Sequence, residues 1–166
     1  MAANYLEQLI AEWYEYKGFF VRRNVLVGKR PKGGHDCELD VVAFHPHEKR
    51  LVHIEPSMDA SSWEERERRY TKKFEAGRKH IPQLFKGLDL PKEIEQIAVL
   101  VFASKTNHDT LGGGKILLID ELLADIFAEL KDRPIASHAV PEHLMVLRSF
   151  QFVAQYRDKV FQALGR

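Results

Sequence analysis

The chain has 166 residues, 45% hydrophobic and 30% charged, with a formal net charge of +1. That balance excludes a disordered segment and fits one globular domain whose core needs no staples. Its single cysteine, Cys37, excludes an internal disulfide framework and a cysteine-based zinc site.

The N-terminus, MAANYLEQLI, has no basic region followed by an apolar block, and no apolar run approaches membrane-spanning length. The expected setting is the cytoplasm, with no membrane partner. In NYLEQLIAEWYEYKG, Leu6, Leu9, Ile10 and Trp13 recur at i, i+3, i+4, i+7, the stripe of an amphipathic helix that Gly18 can end. FFVRRNVLVG follows as a strand closed by Gly28, then RPKGGHD as a loop, because Pro31, Gly33 and Gly34 break both regular periods. CELDVVAF reads as a second strand, HPHEKR as its turn and LVHIEPS as a third strand.

Ser61 with Glu64, and Ser62 with Glu65, each fit a capping box, so a helix is predicted from there to about Lys79, before Pro82. IAVLVFAS has no polar face, which suits a central strand covered on both sides. ILLIDELLADIFAELKD begins as a short strand and turns helical near Asp120, and residues 141–164 read as one amphipathic helix with Pro141 in its first turn. The order predicts an α/β three-layer αβα sandwich. Three early strands form a meander and a fourth arrives by helical crossover, with a core over about 4–104 and helical elaboration over about 116–166. Those last helices are left for covering the sheet or building a homodimer interface.

Charge is unevenly distributed. Lys17, Arg22, Arg23, Lys29, Arg30 and Lys32 form a run with no acid among them, and residues 64–79 add seven more cations against four glutamates. Local basic surface, rather than net charge, is what a phosphate backbone meets.

Two acids fall inside predicted strands, Asp40 between Leu39 and Val41 and Glu55 between Ile54 and Pro56. A buried carboxylate pair repels itself unless it holds a cation or a proton. Mg²⁺ binds through one or two carboxylates and keeps much of its water. On the first helix, at 100° per residue, Glu7 lies at the margin of the apolar stripe whereas Glu12 and Glu15 point away from it.

Glu7, then Asn24, CELDVVAF and LVHIEPS in this order resemble the PD-(D/E)xK nuclease superfamily, the restriction-endonuclease-like fold. The resemblance covers about Tyr5 to Lys79. It implies an αβββαβ core and a metal-dependent nuclease that hydrolyses DNA phosphodiester bonds in duplex, branched or damaged DNA. It also implies Asp40, Glu55 and the Pro56 carbonyl as ligands of Mg²⁺ or Mn²⁺, with Glu7 acting through water or a second metal. Arg22, Arg23, Arg66 and Arg69 would hold the DNA backbone.

Ser57 stands where the family carries lysine, on the same strand face as Glu55. A hydroxyl has no charge and is a poor proton acceptor at neutral pH. Either a cation arrives from elsewhere, or the protein is a catalytically degenerate DNA-binding or assembly module. Arg66, Arg69, Lys73 and Gly77 share one helical stripe, and Lys73 is the candidate, with the glycine allowing close approach. A third reading makes the acids a structural ion pair with Arg22 or Arg23. His53 is a further candidate, one step along the Glu55 face, and GGGK at 112–115 reads as a flexible loop rather than a phosphate-binding one.

Overall fold

A computed structural model describes residues 4–165, and contacts divide the chain into two compact units, Met1–Ile119 and Asp120–Arg166. The first unit begins with α1 (Tyr5–Tyr16), whose N-terminus is capped by the Asn4 side chain accepting from the Leu6 N–H at 3.0 Å. Then come β1 (Phe20–Lys29), β2 (His35–His45), β3 (Arg50–Ser57), α2 (Trp63–Leu84), β4 (Glu95–Leu100), β5 (Thr110–Leu111) and β6 (Gly114–Leu118). They build one open, mixed sheet of six strands in the order β1-β2-β3-β4-β6-β5.

Short turns make β1, β2 and β3 antiparallel, whereas α2 carries the chain across the sheet so that β4 runs parallel to β3. Val42, Phe44 and Leu51 pack on one face with Ile81 and Phe85, at the end of α2. Val41 and Ala43, on the other face by alternation, are also fully buried, and α1 packs across β1, β2 and β3. The meander β1–β3 is therefore covered on both sides, and β4 is buried from Gln96 to Leu100, in keeping with the unbroken apolar run from Ile97.

Three details depart from the sequence reading. Ser62 caps α2 as predicted, its hydroxyl accepting from the Glu65 N–H at 3.3 Å, but the helix continues through Pro82 to Leu84. In a last turn, proline removes only one helical bond before the helix ends. GGGK is not a loose loop. Thr110 pairs with Lys115 and Leu111 with Gly114, leaving Gly112 and Gly113 as a two-residue hairpin turn with φ of +58° and +81°. Positive φ at both positions is the primed turn that fits the twist of paired strands.

The third departure lies in the sheet. Asn24 has φ +51°, a left-handed conformation that asparagine tolerates better than most residues. Pairing between β1 and β2 skips Asn24 and Asp40, and pairing between β2 and β3 starts only at Val41 with Ile54. Leu39 joins the same core cluster as Val42 and Phe44, so the two-residue alternation of β2 breaks around Asp40.

From α3 (Ile119–Leu130), whose first residue closes the first unit, the second unit continues with a 3₁₀ turn (Ile135–Ser137), α4 (Met145–Gln155) and α5 (Arg157–Ala163). The single helix expected over 141–164 is thus two, divided at Tyr156, and Pro141 lies in the preceding turn. Gln151 is fully buried and donates to the Arg133 carbonyl at 2.8 Å, tying α4 to the segment after α3. No described helix is long and apolar enough to cross a membrane.

Candidate active site

The interrupted row of the sheet carries the acids. Register sets Asp40 opposite Glu55, and the Asp40 N–H, instead of continuing the ladder, donates to Glu55 Oε1 at 3.1 Å. Lys73, from α2, donates to Asp40 Oδ1 at 2.6 Å and to Glu55 Oε2. Its side chain and that of Asp40 keep 24% and 15% exposure, whereas Glu55 keeps 1%, so the ion pair closes the floor of a cleft rather than a sealed core. The cleft encloses about 420 Å³ and is lined by these three residues with Asn4, Pro56 and Ser57, and by Met58, Asp59, Arg69 and Tyr70.

Electrostatics follow from this count of charges. Burial first, and then the Glu55 charge, pushes the Asp40 carboxyl up to about 7, with Lys73 opposing the rise. Burial raises Glu55 as well. Burial alone would lower Lys73, but the charges of Glu55 and Asp40 hold it above its ordinary value, so it is an ammonium at neutral pH. Two carboxylates against one ammonium leave the floor short of positive charge.

Ser57 is 6% exposed, and its hydroxyl accepts from the Asp59 N–H at 3.2 Å and from Arg69 at 3.3 Å. The Arg69 guanidinium also pairs with Asp59 at 2.6 Å. Where PD-(D/E)xK nucleases carry lysine, this chain has a hydroxyl that ties the loop after β3 to an arginine. Behind the acids, His53 is fully buried, with Nε2 2.7 Å from Glu55 Oε1 and Nδ1 3.2 Å from Gln96 Nε2. Burial pushes His53 down to about 3, so the ring is neutral. Gly77 serves this packing rather than that of Lys73: a Cβ there would lie 2.6 Å from His53 Cε1.

Glu7 is half-buried near the site; burial and then the Asp40 charge raise its carboxyl, with Lys73 among the groups that lower it. Glu12, expected to point away, is instead 2% exposed and accepts from the Gln8 amide at 2.6 Å. The buried arc of α1 spans Leu9, Ala11 and Glu12 and is wider than the apolar stripe. Arg22 is exposed on β1, and Arg23 donates to Gln8, so neither neutralises the acid pair.

Arg66, expected on a phosphate-facing surface, is 3% exposed. Its guanidinium donates to the carbonyls of Asp59 at 2.9 Å and Phe102 at 2.8 Å, pinning the loops after β3 and β4 together. At this end, the stripe it shares with Lys73 packs on loops, not on solvent.

Among the described residues, no three His, Cys, Asp or Glu side chains converge as a ready-made metal cage. Asp40 and Glu55 supply two carboxylates. The Ser57 carbonyl accepts from the N–H of Val101, just past the end of β4, at 3.2 Å, so by strand alternation the Pro56 carbonyl points to the β2 side, where pairing has stopped. Two carboxylates, one carbonyl, room for water and a deficit of positive charge fit a hard divalent cation of the Mg²⁺ type. No family model, curated protein or solved structure matches this chain.

Proposed function

We propose that the protein is a divalent-metal-dependent nuclease of the PD-(D/E)xK type, hydrolysing DNA phosphodiester bonds, with its lysine supplied by the helix after the third strand. The observation that carries this reading is the Lys73 ammonium between Asp40 and Glu55. The order of α1, the meander β1–β3, the crossover α2 and a β4 parallel to β3 supports it, as do acids on β2 and β3 at one row.

Asp40, Glu55 and the Pro56 carbonyl would hold Mg²⁺ or Mn²⁺, which when bound supplies positive charge for the phosphate and for the attacking water. Lys73 stays protonated, so it orients water and offsets charge at the phosphorus rather than accepting a proton. Arg69, half-exposed at the cleft beside Asp59, would meet a phosphate, and exposed Arg22, Lys29, Lys32, Arg68 and Lys72 would offer further backbone contacts. The third reading, acids paired with Arg22 or Arg23, loses its support, because their partner is a lysine in an open cleft.

Cleavage of linear, nicked and branched DNA with Mg²⁺ or Mn²⁺ tests the proposal, run beside Asp40→Ala, Glu55→Ala and Lys73→Ala. Metal-dependent cleavage abolished by all three substitutions is expected. Metal binding without cleavage of any substrate would instead favour the degenerate DNA-binding module, and cleavage that survives all three would reject the site.

A further inference from the structure

We infer that His53 is a positioning residue for Glu55, a fixed N–H donor whose tautomer is set by Gln96 and which leaves Glu55 one oxygen for a cation. The inference rests on the nuclease reading only for the identity of that cation. Arg78 donates to Gln96 Oε1 at 2.5 Å, and a guanidinium only donates, so this end of the Gln96 amide is the oxygen. The nitrogen end then donates to the Phe74 carbonyl at 2.8 Å, which only accepts, and faces His53 Nδ1 at 3.2 Å.

An amide N–H can only donate, which makes Nδ1 the acceptor and puts the imidazole proton on Nε2. From there it points at Glu55 Oε1, 2.7 Å away. The Phe74 ring stands edge-on to the imidazole, and Gly77 leaves no side chain between helix and ring, so the imidazole has one orientation.

The consequence falls on Glu55. Its Oε1 receives both His53 Nε2–H and the Asp40 N–H, whereas Oε2 faces Lys73. A metal can reach only Oε2, so Glu55 binds through one oxygen, and His53 cannot become a ligand itself because its Nδ1 is bonded to Gln96 on the far side. Groups that orient a ligating carboxylate in this way typically change metal affinity by about 10- to 100-fold when removed.

The test uses the full chain. Heteronuclear NMR of the imidazole nitrogens identifies which carries the proton, and calorimetry measures Mn²⁺ affinity for the parent, His53→Gln, His53→Leu and Gln96→Leu, each checked for folding by circular dichroism. The expected parent spectrum has the proton on Nε2, and Gln96→Leu mixes the two tautomers. His53→Gln, whose amide can still donate to Glu55, keeps Mn²⁺ affinity within about threefold, whereas His53→Leu loses about tenfold or more.

A proton on Nδ1 in the parent overturns the inference, as does a folded His53→Leu variant with parental Mn²⁺ affinity. If His53→Leu does not fold, the parent and Gln96→Leu spectra decide. If the parent binds no Mn²⁺, the metal-dependent reading fails by itself, and the Glu55 carboxyl carbon shift, moved by His53→Leu but not by His53→Gln, decides the role of His53.

Discussion

The Lys73 ammonium lies 2.6 Å from Asp40, its partner 33 positions away in sequence, and bonds Glu55 as well. A helix thus delivers the charge that a lysine at position 57 would have delivered from the strand. If the protein is the proposed nuclease, Lys73→Met should abolish cleavage while leaving DNA binding intact. Ser57→Lys in the Lys73→Met background should restore part of it. In the parent, Ser57→Lys should weaken cleavage, since a second ammonium would crowd Lys73 and Arg69.

The same ion pair has a measurable stability. Removing one partner of a buried pair costs about 3 kcal/mol when the other charges remain. Lys73→Met should show a loss of that order at pH 8 by chemical denaturation. At pH 5 the loss should shrink, because Asp40, whose carboxyl is pushed up to about 7, is then neutral.

Asp40 sets a pH window of its own. Its folded value of about 7 stands above the ordinary 3.8, so between those values the folded chain holds a proton that the unfolded chain releases. Without metal, this group makes stability fall as pH rises from about 4 to 7. Asp40→Asn should remove that component of the slope. On the proposed reading Mn²⁺ needs the deprotonated acid, so its binding at pH 6 should release close to one proton, read from calorimetry in buffers of different ionisation enthalpy.

Gly77 separates propensity from packing. Alanine in a helix is favoured over glycine by about 1 kcal/mol, yet a Cβ here would meet the His53 ring. Gly77→Ala should therefore destabilise, by about 1–3 kcal/mol, and should weaken Mn²⁺ binding through the displaced histidine. A stabilised variant would show that the ring can move aside.

Arg66 and Arg22 should behave as opposites. Arg66→Met leaves two loop carbonyls without their donor and should cost about 2–3 kcal/mol, with the salt dependence of DNA binding unchanged in whatever folds. Arg22→Ala should leave the denaturation midpoint alone and reduce the salt slope of DNA binding by about one contact.

The acids were legible in the sequence because carboxylates inside apolar strands need a reason, and Lys73 because helical spacing put it on the stripe facing them. Arg66 lay on that stripe too, but spacing cannot tell a face packed under loops from one in solvent. His53 was visible only as a polar residue beside Glu55. Its partner Gln96 comes from β4, 43 positions later, and only the parallel register of β3 and β4 brings them together. The Gly112–Gly113 turn has a local signal, two glycines between residues able to pair. The division at Tyr156 has neither glycine nor proline to mark it.

The skipped rung at Asn24 and Asp40 gives the protein an internal gauge. Amides in a ladder report on the sheet, but that of Asp40 hangs on a Glu55 oxygen. Its resonance and its exchange with deuterium should therefore track what happens to that carboxylate, including cation loading and loss of the His53 donor. One backbone proton would then read the occupancy of the cleft without any reaction having to run.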